Sequence, residues 1–221
     1  EQLPKVKQWI EVEEGHTHSE SEDSFYEELV SLGDGSPVDV KHSADDLLFL
    51  YTGGTTGMPK GVMWRHDDLF KVQGAGGSPL LGIPPCVDLE ELIERLSTQP
   101  VPVNLPLPPI MHGTGLLSAV GAMSNGGTCV TLPSRSFEPE LALANIDQHK
   151  VTSVTIVGDA FARPLLDALN ENPRKYDISS IYAVSSSGVM WTRDIKAGLL
   201  KHNENMLLID KFSSSEAIGL G

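Results

Sequence analysis

The feature that most constrains the fold is a regular alternation of two kinds of segment after Asn125. Four short runs rich in apolar and β-branched residues are separated by three segments with helical periodicity. The runs cover 128–132, 153–157, 181–185 and 206–210, and the helical segments cover 139–149, 161–170 and 192–202. Strands and helices in turn at this spacing predict parallel strands joined by right-handed helical crossovers. The sequence therefore predicts an α/β fold with a doubly wound, mostly parallel sheet flanked by helices.

The segment 151–157, VTSVTIV, has a nearly continuous apolar character. This pattern is typical of a strand that is covered on both faces of a sheet. Ligands of a parallel sheet bind at the carboxyl ends of its strands. We therefore expect functional residues in the loops that follow the second, third and fourth runs.

The segment 47–66, LLFLYTGGTTGMPKGVMWRH, is a second constraint. It predicts a strand over 47–51 that leads into a loop of small and hydroxyl-bearing residues, and Asp67 and Asp68 mark a helix start beyond it. The glycines let backbone N–H groups approach a bulky anion, the threonines add hydroxyl donors, and Lys60 adds a cation. The glycines are Gly53, Gly54, Gly57 and Gly61, and the threonines are Thr52, Thr55 and Thr56. The combination predicts a polyphosphate site.

The spacing differs from that of the kinase-type P-loop, in which Gly-Lys-Ser/Thr must follow a glycine and four further residues. Five residues after Gly53 and Gly54, the chain has Met58 and Pro59. The segment 51–62 instead resembles the signature loop Y-T-S-G-T-T-G-x-P-K-G-V of the adenylate-forming enzymes, which include acyl-CoA synthetases, peptide-synthetase adenylation domains and luciferases. It matches at every defined position except Gly53, where the family usually has Ser. An ordinary glycine-rich turn is the alternative interpretation.

Two further segments resemble family motifs that contact the nucleotide. The segment 185–191, SSSGVMW, is similar to S-G-G-A-P-L, which lies along the adenine and the acyl tail, and the segment 210–217, DKFSSSEA, resembles Y-G-S-T-E. The resemblance implies that Phe212 takes the place of the adenine-stacking Tyr, that Ser215 contacts the α-phosphate and that Glu216 binds Mg²⁺. One carboxylate is chemically sufficient, because Mg²⁺ usually bridges a carboxylate and substrate phosphates. The nucleotide-binding residues implied by these segments are Ser187, Gly188, Val189, Phe212, Ser213, Ser214 and Ser215.

The resemblance implies acyl-binding residues in two other places. Pro109, His112 and Gly115 resemble the family's P-x-x-H-x-x-G turn, where a histidine borders the acyl and pantetheine channels and can contact the reacting carboxylate. The alternative is a histidine that caps a helix over 114–123. The loop after the second strand supplies three candidates for the acyl pocket: Gly158, Asp159 and Phe161. For Phe161, the alternative is a plain core position.

The resemblance implies an ATP-dependent acyl-CoA synthetase, an acid–thiol ligase of the branch that acts on long-chain fatty acids or steroid side-chain acids. The implied cofactors are ATP, Mg²⁺ and CoA, and the residues expected to take part in catalysis are Lys60, His112 and Glu216. Two alternatives stay open. One is an adenylating enzyme with an acceptor other than CoA, and the other is a non-catalytic nucleotide-binding or interaction module.

The adenylate-forming enzymes are more than twice as long as this chain of 221 residues, which does not begin with Met. We expect a fragment with three parts: an N-terminal segment with an acidic connector (1–46), the phosphate-loop and Pro-rich region (47–124), and the parallel α/β subdomain (125–221). The family's C-terminal domain, which carries a catalytic lysine, is expected to be absent. The isolated chain is therefore expected not to form acyl-CoA.

Composition limits the partners. The net charge of −14 and the pI near 4.8 argue against nucleic acid, which needs clustered Lys and Arg. The two cysteines fit reduced thiols, and no apolar run reaches membrane-spanning length, so a cytoplasmic protein is expected. A homodimer is compatible with the sequence, which does not determine the oligomeric state. His16 and His18 lie among glutamates in an acidic segment, where such residues are more often solvated than metal ligands.

A separate helix is predicted between the Gly/Pro-rich segment 74–85 and Pro100. Asp88 and Glu91 have the spacing of a capping box, which starts a helix. Its apolar face is expected to hold Leu89, Leu92, Ile93 and Leu96, and its polar face Glu90, Glu94 and Arg95.

Overall fold

The structure is a computed structural model, which describes residues 10–11, 24–53, 57–78, 82–134 and 136–218. The chain divides into two compact units, 1–42 and 43–221. In the first unit, β1 (Ile10–Glu11) pairs in parallel with β2 (Ser24–Phe25), and α1 (Tyr26–Ser31) follows directly. The division into the three parts expected from the sequence stays a prediction.

The second unit begins with a β-hairpin. The predicted strand is present as β3 (Leu47–Thr52), and it pairs antiparallel with β4 (Lys60–Arg65). β4 runs directly into α2 (His66–Val72), whose first turn contains Asp67 and Asp68 as expected. The sequence analysis did not predict β4, because only two of its six side chains are even half-buried and its apolar alternation is correspondingly weak.

The helix α3 (Leu89–Thr98) begins at the predicted capping box. The Asp88 carboxylate accepts from the Glu91 N–H at 2.8 Å. The predicted faces are partly wrong, since Leu89 is 67% exposed whereas the side chain of Arg95 is only 12% exposed. The Arg95 guanidinium donates to the carbonyls of Gly76 and Pro84 and pairs with Glu91. Backbone carbonyls of the preceding loop, rather than an apolar layer, therefore meet this side of α3, and an arginine satisfies them.

A five-stranded parallel sheet, with the order β6-β5-β7-β8-β9, forms the centre of the second unit in the described part of the chain. Its strands are β5 (Val103–Pro106), β6 (Thr128–Cys129), β7 (Ser153–Ile156), β8 (Ala183–Ser187) and β9 (Leu207–Lys211). The helices are α4 (Gly113–Ser124), α5 (Pro139–His149), α6 (Asp159–Glu171) and α7 (Arg193–Leu200). Every strand and helix predicted after Asn125 is present, and the predicted class, a parallel α/β sheet flanked by helices, is confirmed.

The two faces of this sheet differ in chemistry. Leu105, Val154 and Ile156 join a buried cluster with residues of α5, α6 and α7. Burial of each such side chain contributes about 1.5–3 kcal/mol, so this face fixes the sheet against its helices. The alternate residues of β7, Ser153 and Thr155, lie on the opposite face, where α4 packs against β5, β6 and β7. The second face thus carries hydroxyl groups and borders a cavity.

Candidate functional site

An open cavity of about 1720 Å³ borders the polar face of the sheet. Its wall includes the end of the β3–β4 hairpin, the N-terminal turn of α4 and the carboxyl ends of β8 and β9, and it continues along residues of the segments 72–78 and 95–104. Residues from four predicted motifs line it: Thr52, Gly53, His112, Ser187, Gly188, Ser213, Ser214 and Ser215. The structure therefore gathers these motifs at one cavity, in the place where parallel sheets bind their ligands.

The end of the hairpin holds the predicted phosphate-binding residues. Thr52 and Lys60 are partners in the strand register, and the Thr52 hydroxyl donates to the Lys60 carbonyl at 3.5 Å. The Lys60 side chain is exposed and has no ion pair with any residue that the structure describes. Gly57 has a φ of 101°, which side chains rarely allow. Gly54, Thr55 and Thr56 lie outside the described residues.

The loop after β9 is held against the hairpin. The indole N–H of Trp64 in β4 donates to the Ser215 carbonyl at 2.8 Å. Ser214 and Ala217 exchange two backbone hydrogen bonds of 3.0 and 3.2 Å, which close a tight turn around Ser215 and Glu216. The Glu216 carboxylate on this turn is exposed. The sequence analysis did not identify Trp64, which sets the position of this loop.

The N-terminus of α4 meets the same loop. A Cβ atom added at Gly113 would lie 3.7 Å from the Ser215 hydroxyl oxygen. His112 occupies the N-cap position, yet its side chain is exposed and makes no capping hydrogen bond. The first N–H groups of a helix lack intrahelical partners and favour anions. The geometry therefore places helix N–H groups, a serine hydroxyl and a histidine at one point of the cavity wall, and it does not show the capping role considered for His112.

The carboxyl ends of β7 and β8 are locked together by Gly158. The Gly158 N–H donates to the Ser186 hydroxyl at 2.8 Å. Its φ is 52°, and an added Cβ would lie 2.4 Å from the Met190 carbonyl oxygen. Only glycine fits this position. Next to this contact, Ser187 and Gly188 line the cavity, whereas Val189 is 56% exposed.

Asp159 and Phe161, at the start of α6, make contacts within the fold. The two carboxylate oxygens of Asp159 accept from the N–H and the hydroxyl of Thr192, each at 2.9 Å, and so hold the start of α7. The ring of Phe161 packs at 4.9 Å from that of Phe137 and against the buried cluster. Neither they nor Gly158 are among the residues that line the cavity. Their part in binding an acyl group stays a prediction.

The described residues contain no group of three or more His, Cys, Asp and Glu side chains that could hold a metal by themselves. Mg²⁺ does not need one, because it usually keeps several waters and binds through one or two carboxylates and substrate phosphates. Glu216 is not among the residues that line the cavity, but it directly follows Ser215, which is, and its exposed carboxylate fits this donor set.

The structure adds a residue that the sequence analysis missed. Lys211, the last residue of β9, lines the cavity together with Leu207 and Ile209. Its surface is open to the cavity, but the surrounding protein partly desolvates it, and this burial lowers the pKa of Lys211. The period-2 alternation of LLIDK could have placed these three residues on one face of the strand.

A parallel α/β sheet with hydroxyl and N–H groups at its strand ends, which can donate to a phosphate, is typical of nucleotide-binding enzyme domains. The chain belongs to the family of AMP-binding enzymes, whose family model matches residues 1–219. The family expected from the sequence is thus confirmed.

Individual relatives are named as CoA ligases. The chain is 35% identical over 219 residues to the medium-chain acyl-CoA ligase Mig of Mycobacterium avium, and this match covers 97% of the chain and 39% of that protein. It is 37% identical over 219 residues to a 3-oxocholest-4-en-26-oate–CoA ligase of Rhodococcus rhodochrous, with 96% and 39% covered. The crystal structure of a long-chain-fatty-acid–CoA ligase from Archaeoglobus fulgidus shares the fold, with a TM-score of 0.62, 22% identity, and 86% of this chain and 36% of that chain covered. The chain thus spans 39% of the length of these two curated relatives.

Among the described residues, no helix has the length and apolar character needed to cross a membrane.

Proposed function

We propose that this chain is the nucleotide- and acid-binding part of an ATP-dependent acyl-CoA synthetase. The observation that carries the proposal is the convergence on Ser215 of three elements: the hairpin through Trp64, the start of α4 at Gly113, and the loop after β9. The relatives that are 35% and 37% identical are named as ligases of a medium-chain acyl group and of a steroid acid, which supports a fatty or steroid side-chain acid as substrate.

The reaction proceeds in two steps. The substrate carboxylate attacks the α-phosphate of ATP and expels pyrophosphate, which gives an acyl adenylate. The thiol of CoA then attacks the acyl carbon, loses its proton and expels AMP to form the thioester. The attacking carboxylate is already ionised at neutral pH, so the first step needs no protein base. Positioning and neutralisation of phosphate charge supply the rate enhancement.

Each residue has a role in this scheme. Ser215 and the first N–H groups of α4 hold the α-phosphate. Glu216 would hold a Mg²⁺ ion, which would neutralise part of the phosphate charge. Phe212, 76% exposed in the loop after β9, stacks on the adenine beside Ser187, Gly188, Val189, Ser213 and Ser214. The outer phosphates are held by Thr52, Gly53, Gly54, Thr55, Thr56, Gly57 and Lys60.

The acid lies on the other side of the α-phosphate. His112, exposed at the start of α4, contacts its carboxylate. Gly158, Asp159 and Phe161, which follow the carboxyl end of β7, shape the acyl pocket. A cytoplasmic location and a homodimer belong to this proposal as well.

The test is magnesium-dependent exchange of labelled pyrophosphate into ATP by the full-length protein, with fatty acids and steroid side-chain acids as substrates. Glu216→Gln keeps the shape of the side chain but removes its charge, and it should lower the exchange rate on the order of 10²-fold. Exchange without thioester formation from free CoA would favour an adenylating enzyme with another acceptor. Absence of exchange with every acid would favour a non-catalytic nucleotide-binding module.

A further inference from the structure

The strand β9 presents different chemistry on its two sides. Leu208 packs against the buried cluster, and Asp210 forms an ion pair with Lys196 of α7. The residues between and beyond them, Leu207, Ile209 and Lys211, line the cavity. Because side chains alternate along a strand, the backbone of β9 itself aims Lys211 at the cavity.

The cation at this position has no counter-charge in the described part of the chain. Lys211 takes part in none of the ion pairs or side-chain hydrogen bonds among the described residues. The neighbouring carboxylate of Asp210 is paired with Lys196. The partner of Lys211 across the β8–β9 register is Ser187, whose hydroxyl lies 3.4 Å from that of Ser213. The residue across the register from Lys211 thus carries a neutral hydroxyl group, and the chain as a whole has a net charge of −14.

The ammonium group of Lys211 is exposed to the cavity and has no anionic partner among the described residues. The protein around it lowers the pKa of Lys211, because burial disfavours the charged form. A bound anion would return the missing interaction and would make a charge-assisted hydrogen bond, one of the stronger polar contacts in proteins.

We propose that Lys211 binds an anionic group of a ligand in the cavity, a carboxylate or a phosphate, with the hydroxyls of Ser187 and Ser213 as additional donors. This inference rests on the proposed function for the nature of the ligands. The anion has two possible sources: a second carboxylate on the acid substrate, or a phosphate of the nucleotide.

The experiment measures binding to the 221-residue chain by calorimetry with four probes: Mg-ATP, AMP, dodecanoate and dodecanedioate. Lys211→Gln should weaken at least one probe about tenfold or more, and Lys211→Arg should retain its affinity. A loss confined to dodecanedioate identifies a substrate carboxylate, whereas a loss shared by Mg-ATP and AMP identifies a phosphate. Lys201→Gln, an exposed lysine at the end of α7, is the matched control and should bind like the wild type.

A second measurement uses the wild type alone, so it stays informative if the Lys211→Gln variant does not fold. Amine-directed acetylation of the wild type, followed residue by residue by mass spectrometry, should slow at Lys211 but not at Lys201 when the bound anion is present. Unchanged affinities in Lys211→Gln, unchanged labelling, or a wild type that binds none of the probes would each overturn the inference. If only Lys60→Ala loses Mg-ATP binding, the proposed phosphate site at the end of the hairpin stands, and Lys211 is not a phosphate ligand.

Discussion

The hydrogen bond between Trp64 and Ser215 offers a direct test of how the site is held together. Trp64→Phe keeps an aromatic ring in β4 but removes the N–H that donates to the Ser215 carbonyl at 2.8 Å. A net intramolecular hydrogen bond contributes about 0.5–1.5 kcal/mol, and an unsatisfied partner adds to the loss. Ser215 is half-buried, so its carbonyl can regain water in part. We expect the free energy of unfolding to fall by about 1–2 kcal/mol.

The effect on the ligand should be larger than this loss of stability suggests. Without the indole contact, the turn that carries Ser215 and Glu216 is no longer fixed to the hairpin, and the α-phosphate ligand loses its position. A cost of 1.4 kcal/mol corresponds to a tenfold change in affinity, so Mg-ATP should bind about tenfold more weakly.

Two assays check this prediction: equilibrium urea unfolding and calorimetric titration with Mg-ATP. Trp191→Phe removes the same atoms without breaking a hydrogen bond, because the buried indole N–H of Trp191 has no partner among the described residues. Since Trp191 belongs to the buried cluster, any loss of stability in this comparison variant comes from lost packing. If Trp64→Phe binds Mg-ATP as tightly as the wild type, the loop does not depend on the hairpin for its position and the reasoning is refuted.

Two further predictions concern stability. Gly158→Ala should lower the free energy of unfolding by about 3 kcal/mol or more, because a positive φ and an overlap with a carbonyl oxygen combine. Gly82→Ala, with φ of 66° and no atom of the described residues within 4 Å of the added Cβ, should cost clearly less. Equal losses in urea unfolding would contradict this. Hydrogen bonds from Ser179, and then Lys150, lower the pKa of Asp177 from 3.8 to about 2. Since the folded pKa lies below the unfolded one, this carboxylate stabilises the fold above pH 3.8, and the contribution is lost as the pH falls toward about 2. Thermal midpoints measured over this pH range should fall less steeply for Ser179→Ala, and parallel curves would argue against the linkage.

Local sequence patterns determined four of the five described strands of the parallel sheet and the helices between those four; β5 was not among the predicted strands. The helix Pro139–His149 was predicted with its observed bounds, because proline at the first position and a 3.6-residue apolar period are both local signals. The four later strands were found from short apolar, β-branched runs between these helices. The glycine-rich segment and the serine-rich segment after β9 identified the family for the same reason, since each motif is contiguous in the chain.

The tertiary structure alone decided how these pieces meet. Trp64 and Ser215 are 151 residues apart, and no local pattern indicates that an indole N–H will satisfy that carbonyl. Arg95 was expected to face water, but two loop carbonyls required a donor, and this need is visible only once the loop is folded. Lys211 likewise could not be interpreted from its strand alone. Alternation gives it a side of β9, but only the folded sheet shows that Asp210 pairs with Lys196 and that the described residues offer Lys211 no counter-charge. Hydrogen bonds and charges are satisfied across distant segments, so the sequence determined which elements form, and the packing of those elements determined the site.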